Sequence, residues 1–200
     1  MNEKRTDSWL DRPIVKGLGL SWEQGFYLLI ILVCLVSRLA ILGVRVQSHD
    51  ESLHTKYSWN LYDGQGFQHN PMMHGPFLFH ITAASYALFG DADFTARLPV
   101  ALLGTLLVAF PYLLRRYLGR KAALLSSLLL LISPSIMYYS RYIRHDIPII
   151  LWSMIAIWAI FHYIEQGKDR YLYILAGGVS LMYATKEVAA IYVIFFAVFL

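Results

Sequence analysis

Residues 25–44 read GFYLLIILVCLVSRLAILGV, and Arg38 is the only charge in this stretch. A helix of about 20 apolar residues is long enough to cross the hydrocarbon core of a bilayer, which is roughly 30 Å thick. The whole chain of 200 residues is 58% hydrophobic, whereas ordinary soluble domains are about 45–50% apolar. The sequence therefore predicts an all-α, polytopic integral membrane protein.

Comparable apolar runs follow along the chain and predict a single transmembrane domain, 1–200. The predicted membrane-spanning helices are 25–44, 94–114, 121–139, 147–164, 171–184 and 188–200. Two shorter helices, 50–63 and 76–89, are expected in juxtamembrane positions, because about 14 residues are short for a crossing. The chain ends inside an apolar run, so we expect it to be the N-terminal part of a longer protein.

The distribution of Lys and Arg predicts which loops face the cytoplasm. If 76–89 does not cross the membrane, ten of these residues lie on the side of the N-terminus and six on the other; if it crosses, the split is eight against eight. The first arrangement agrees better with the positive-inside rule. It predicts a multi-pass protein of the plasma membrane with a cytoplasmic tail, 1–24, an external loop, 45–93, and external turns at 140–146 and 185–187.

This topology gathers polar side chains on the extracytoplasmic face. Six of the seven histidines fall there, and most of the carboxylates with them: His49, His54, His69, His74, His80, His145, Asp50, Glu51, Asp63, Asp91, Asp93, Asp146 and Glu187. Imidazoles and carboxylates concentrated at one membrane surface indicate a functional site. Nothing indicates a nucleic-acid partner, because no basic run reaches five residues and the aromatic residues lie in apolar segments.

The external loop opens with Ser48, His49, Asp50 and Glu51. One interpretation is a helix start, in which Ser48 or Asp50 is the N-cap and acidic residues favour the first turn. That interpretation does not explain a histidine beside two adjacent carboxylates, so a functional site is the alternative. Further along the loop, His74 can be a metal ligand, an acid/base group or neither.

The second external turn, 140–148, reads SRYIRHDIP. Charges this close to a membrane are costly and tend to mark function, although arginines and tyrosines also anchor helices at the interface. Anchoring does not require Asp146. The third turn, 185–187, contains Lys186 and is either a salt-bridged helix boundary or part of the same site, and Arg97 can be a snorkelling anchor.

An ordered set of motifs runs through residues 25–190. It consists of Asp50-Glu51, the apolar segment headed by Pro76, Phe89-Gly90, Arg97-Leu98-Pro99, Asp146 and Thr185-Lys186. In this order the motifs resemble the GT-C class of polytopic glycosyltransferases, of glycosyltransferase family 39 or 83 type, which includes protein O-mannosyltransferases and lipid A aminoarabinose transferases. The residues of these motifs most resemble those of a prokaryotic branch of this class, which is named for its association with flippase activity in N-glycosylation. Leu53-His54 and His74-Gly75-Pro76 depart from the Arg-Tyr and Glu-Lys-Pro of aminoarabinose transferases.

The resemblance implies a GT-C-like helix bundle that moves a sugar from a polyprenyl-phosphate-linked donor to a protein, glycan or lipid acceptor on the extracytoplasmic face. It implies three catalytic carboxylates, Asp50, Glu51 and Asp146, of which Asp50 is the expected general base. It also implies a set of side chains that bind the phosphate, namely Arg141, Arg144, His145 and Lys186. A divalent metal is a further expectation, with Glu51, His74 and Asp146 as its ligands.

A non-catalytic function is the alternative: a flippase-associated or transport protein that binds a lipid-linked oligosaccharide with the same charged face. Transporters usually place polar groups and broken helices near the middle of the membrane. Here Arg38, Pro111 and Pro134 are the only such features, whereas the carboxylates cluster at the surface. This distribution favours an enzyme.

Overall fold

The computed structural model describes residues 10, 12–13, 19–68 and 73–199. Every regular element within these residues is a helix, which confirms the all-α prediction. In chain order the helices are α1 (Trp22–Leu39), α2 (His49–Tyr62), α3 (Phe77–Phe89), α4 (Asp93–Ala109), α5 (Pro111–Leu118), α6 (Arg120–Ile132), α7 (Pro134–Tyr139), α8 (Asp146–Gln166), α9 (Asp169–Thr185) and α10 (Ala189–Phe199).

Three of the described helical stretches are long and apolar enough to cross a membrane. They are α1, the run of α4 and α5 from Asp93 to Leu118, and α8. The helices α3 and α10 are apolar but shorter, and α9 has 17 residues. The chain is therefore a polytopic membrane protein, while the crossings assigned to 121–139, 171–184 and 188–200 stay predictions.

Local chemistry explains where α2 begins and where the predicted helix 121–139 is interrupted. Ser48 is the N-cap of α2: its hydroxyl accepts the backbone N–H of Glu51, and the Glu51 carboxylate accepts the N–H of Ser48. The expected helix 121–139 is divided into α6 and α7 at Ser133. Pro134 causes this break, because a proline disfavours the helical conformation of the residue before it and has no N–H to donate.

The helix α4 forms the centre of the bundle and packs against α1, α3 and α8. Its buried side chains join those of α3 and α8 in one apolar cluster that includes Leu78, Val100, Leu107, Ile147 and Leu151. Gly104 allows the turn after α7 to approach α4 closely, because a Cβ at residue 104 would overlap the Ser140 side chain. The turn that precedes α8 is thereby held against the central helix.

The polar segments lie at opposite ends of the bundle. At one end, the Tyr142 hydroxyl is hydrogen-bonded to Ser48, and the Gly75 N–H donates to the Thr185 carbonyl at 3.2 Å. The loop 45–93 and the turns 140–146 and 185–187 are thus in mutual contact. At the other end, Arg120 pairs with Glu23 at 2.6 Å. Which end faces the cytoplasm stays a prediction from the charge distribution.

Candidate active site

A polar cavity of about 260 Å³ lies at the end of the bundle where the loop and the two turns meet. Four elements contribute to its wall: α2, the segment before α3, the turn before α8 and the residue after α9. The side chains that line it are His49, Asp50, Leu53, His54, Met73, His74, Arg144, His145 and Lys186. Below, we call this cavity the histidine pocket.

Four of these side chains come from one face of α2. His49, Asp50, Leu53 and His54 follow the spacing i, i+1, i+4 and i+5, which places them on adjacent turns of the same helical face. The carboxylate of Asp50 is half exposed, so it is accessible from the pocket. Residues 48–51 therefore begin a helix and also contribute to the pocket, so the two interpretations of this segment are compatible.

His74 is held in the pocket by an unusual backbone conformation. Its φ is +63°, in the left-handed region that non-glycine residues seldom adopt. Gly75 then packs against the end of α9, where a Cβ would overlap the backbone carbonyl of Ala184. The His74 ring lies 5.2 Å from that of His145, and its Nδ1 lies 2.8 Å from the Glu187 carboxylate. The close approach of Gly75 therefore fixes the place of an imidazole in the pocket.

Two cations in the pocket pair with two carboxylates. Lys186 Nζ lies 3.2 Å from Asp146, and Arg144 Nε lies 3.4 Å from the same carboxylate. Arg144 also faces Asp50, at 3.9 Å. Asp146 thus holds both cations beside the first turn of α8, and the ion pair between Asp50 and Arg144 is longer.

Two imidazoles are buried in the wall of the pocket. Burial, followed by the influence of the nearby His74, lowers the pKa of His54 to about 4. Burial also lowers the pKa of His145 to about 2, together with the nearby His54, His74, Lys186 and Arg144. His54 Nδ1 and His145 Nε2 have no hydrogen-bond partner among the described residues. Both rings are therefore neutral near neutral pH and offer unpaired nitrogens beside the pocket.

These shifts predict that mild acid destabilises the protein. An unfolded histidine has a pKa of about 6.5, so below that pH the unfolded state binds protons that folded His54 and His145 do not. Their contribution to stability is complete above pH 6.5 and falls by about 1.4 kcal/mol per pH unit for each ring as the pH drops toward about 4. Thermal unfolding in detergent between those pH values measures this loss.

The variant His145→Gln should have a shallower pH dependence than the wild type. His80 provides the matched control, because its exposed ring is hydrogen-bonded to the Pro76 carbonyl and does not line the histidine pocket, so His80→Gln should keep the wild-type slope. Equal slopes in all three proteins would contradict the assignment.

The family of the chain follows from comparison with known proteins. A family model described as dolichyl-phosphate-mannose-protein mannosyltransferase matches residues 73–200. The chain belongs to this family. The match together with the apolar helices indicates a membrane glycosyltransferase. No curated protein and no solved structure matches the chain.

The part of the chain that matches the mannosyltransferase family contributes most of the histidine pocket. Five of the nine lining residues lie within 73–200, namely Met73, His74, Arg144, His145 and Lys186. The four pocket residues of α2 precede the matched region. The structure, rather than the family match, brings Asp50 to these side chains.

Glu51 lies outside the pocket of this mannosyltransferase-family chain. Its side chain is completely buried; one oxygen accepts Arg97 Nε at 2.9 Å, and the other accepts Arg45 at 2.7 Å. Burial alone would raise the pKa of Glu51, but the hydrogen bonds from Arg97 and Ser48 and the positive charges of Arg97 and Arg45 outweigh it and lower the pKa. Its carboxylate therefore joins elements together, and a catalytic role has no geometric support.

Arg141 also lies away from the predicted phosphate site. Its guanidinium donates to the carbonyl oxygens of Ser37, at 2.6 Å, and Ala40, at 2.8 Å. These groups are at the C-terminal end of α1, where backbone carbonyls lack helical partners and the helix dipole favours a cation. Of the predicted phosphate-binding residues, Arg144, His145 and Lys186 line the histidine pocket.

The predicted metal ligands do not converge. Glu51 faces Arg97 and Arg45, His74 faces Glu187, and Asp146 faces Lys186. In the ranges 19–68 and 73–199, no group of three or more His, Cys, Asp and Glu side chains is placed to hold a metal ion. The arrangement does not fit a divalent metal, and we assign no chemical step to one.

The structure gives two residues, one in the pocket and one outside it, roles that the sequence did not assign to them individually. His54 lines the pocket, and its spacing of four residues from Asp50 was the signal that could have revealed it. Arg97 is fully buried against Glu51 rather than an interfacial anchor. No local signal could reveal that pair, because the two residues are 46 positions apart.

Proposed function

We propose that the chain moves a sugar from a polyprenyl-phosphate-linked donor to an acceptor hydroxyl on the extracytoplasmic face of the membrane. The observation that carries this proposal is the meeting of Asp50, Arg144 and Lys186 in one pocket at the start of α8. Because α8 is long and apolar enough to span a bilayer, a pocket at its N-terminal end suits a phosphate that a lipid carries at the membrane surface.

Asp50 is the group best suited to accept the proton of the acceptor hydroxyl. The low pKa values of His54 and His145 make these rings poor bases near neutral pH. Asp146 is engaged by Lys186 and Arg144. Asp50 is half exposed, and its ion pair with Arg144 is 3.9 Å long, so a hydroxyl in the pocket can reach it.

Arg144 and Lys186 would stabilise the leaving group. As the acceptor oxygen forms a bond to the anomeric carbon, the bond from that carbon to the phosphate oxygen breaks, and the phosphate keeps the electron pair. The charge that develops there is stabilised by cations already in position. Asp146 holds both cations in place, and its role is to position them.

The buried imidazoles can orient the sugar. A neutral histidine offers one donor and one acceptor nitrogen. His145 Nε2 and His54 Nδ1 are buried at the pocket wall without a partner among the described residues, and an unpaired buried nitrogen costs free energy until it bonds. A sugar hydroxyl would satisfy such a nitrogen without requiring a change of charge.

The variant Lys186→Ala should raise the KM for the lipid donor by about tenfold or more, because a hydrogen bond to a charged group contributes roughly 1.5–3 kcal/mol. The measurement is the transfer of radiolabel from polyprenyl-phosphate mannose into protein and glycan fractions of membranes that contain the full chain. Lys168→Ala is the matched control, since Lys168 precedes α9 at its opposite end. An unchanged KM in Lys186→Ala, with the protein correctly inserted, would remove the proposed phosphate contact.

A further inference from the structure

A second polar pocket lies on the opposite face of α2. It has a volume of about 340 Å³, and none of its lining residues is shared with the histidine pocket. The helix contributes Ser52, Thr55, Lys56 and Trp59, and Asp91 and Asp93 come from the segment that leads into α4. This volume is near the lower limit of small-molecule sites, roughly 300 Å³. We call this cavity the Trp59 pocket.

The polar groups of the Trp59 pocket are already fixed by one another. Trp59 Nε1 donates to Asp91 at 3.1 Å, which holds the indole ring by one edge. Gln47 donates to Asp93 at 2.7 Å, and its amide oxygen accepts the Thr55 hydroxyl at 3.0 Å. Groups held in this way lose little conformational entropy when a ligand binds.

The chemistry of this lining matches a saccharide. Trp59 remains 38% exposed, and its aromatic ring provides a flat surface for the C–H face of a sugar. Carboxylates and an amide at the rim provide paired acceptors and donors for hydroxyl groups. With Asp91, Asp93 and Lys56 charged, the lining has a formal charge of −1, which disfavours a phosphate. The histidine pocket differs in this respect, because its two cations, Arg144 and Lys186, favour a phosphate.

We propose that the Trp59 pocket binds a saccharide on the same end of the bundle as the histidine pocket. The identification of that saccharide as the acceptor glycan rests on the proposed function; the binding itself does not. The one helix would then present a phosphate-binding face and a sugar-binding face, with Asp50 on the first and Trp59 on the second.

The test is a calorimetric titration of the full chain, in nanodiscs, with mannobiose, chitobiose and cellobiose. At least one of these should bind, and Trp59→Ala should weaken binding by about tenfold or more, because the ring supplies most of the contact area. Trp59→Phe should keep most of the affinity, and Asp93→Ala should reduce it. Trp22→Ala is the matched control: Trp22 is 40% exposed at the start of α1, at the other end of the bundle.

Several outcomes would overturn the proposal: no binding of any of the three disaccharides, equal affinity in Trp59→Ala, or binding of a Ser/Thr-rich hexapeptide in their place.

Asp50→Asn separates the proposed saccharide binding from the proposed sugar transfer, because this variant should abolish transfer and leave the titration unchanged. Saccharide binding without any transfer by the wild type would overturn the proposed function alone. Loss of saccharide binding in Asp50→Asn would show that the ligand occupies the histidine pocket instead.

Discussion

Replacing Asp50 with Asn should reduce sugar transfer by at least about 100-fold while leaving the amount of inserted protein unchanged. A positioned general base contributes roughly 10²–10⁴-fold to rate, and the amide of asparagine cannot accept the proton. Because the Asp50 side chain is half exposed and its ion pair with Arg144 is 3.9 Å long, the substitution should cost little stability. Initial rates of label transfer from polyprenyl-phosphate mannose, with insertion checked by protease protection, measure the effect.

Asp63 offers the matched control for this substitution. It is the C-cap of the same helix, it is exposed, and its carboxylate accepts a hydrogen bond from the Gln65 side chain. Asp63→Asn should therefore transfer sugar at the wild-type rate. Activity of Asp50→Asn within a few-fold of that control would exclude Asp50 as the base. Donor binding without transfer in the wild type would favour the flippase-associated alternative.

The second large effect concerns stability. Glu51→Ala should destabilise the protein by about 3–5 kcal/mol, because it leaves the buried Arg97 guanidinium without its charge partner. The loss also reaches the pocket: Glu51 accepts the Ile143 N–H at 3.3 Å and so ties α2 to the turn that carries Arg144 and Asp146. Chemical denaturation in detergent, followed by intrinsic fluorescence, measures the change in the free energy of unfolding.

Two further variants separate this ion pair from a general effect of losing a carboxylate. Glu165→Ala removes the partner of Arg116 in a largely exposed pair, and such pairs contribute roughly 0–1 kcal/mol. Replacing Glu51 and Arg97 together, by Ala and Met, should cost less than the sum of the single changes, since no buried charge remains unpaired. Additive losses would show that the two side chains do not act as a pair.

The contrast between neighbouring residues explains how far the site could be predicted. Asp50 and Glu51 were both predicted to be catalytic carboxylates, yet one lines the histidine pocket and the other is buried against Arg97. Consecutive helical residues point about 100° apart, so only the packing of α2 decides which of them faces the pocket. Arg141 and Arg144 differ in the same way, since Arg141 bonds carbonyls at the end of α1.

The sequence by itself determined the helices and the membrane character of the chain, because both depend on apolar runs and on local signals such as Ser48 and Pro134. It also indicated that carboxylates, imidazoles and cations gather at one end. Only the tertiary structure decided which side chains share a pocket. The pairs that define the site join residues dozens of positions apart, such as Lys186 with Asp146. Contacts of that kind depend on how helices pack, and no local pattern in the sequence records them.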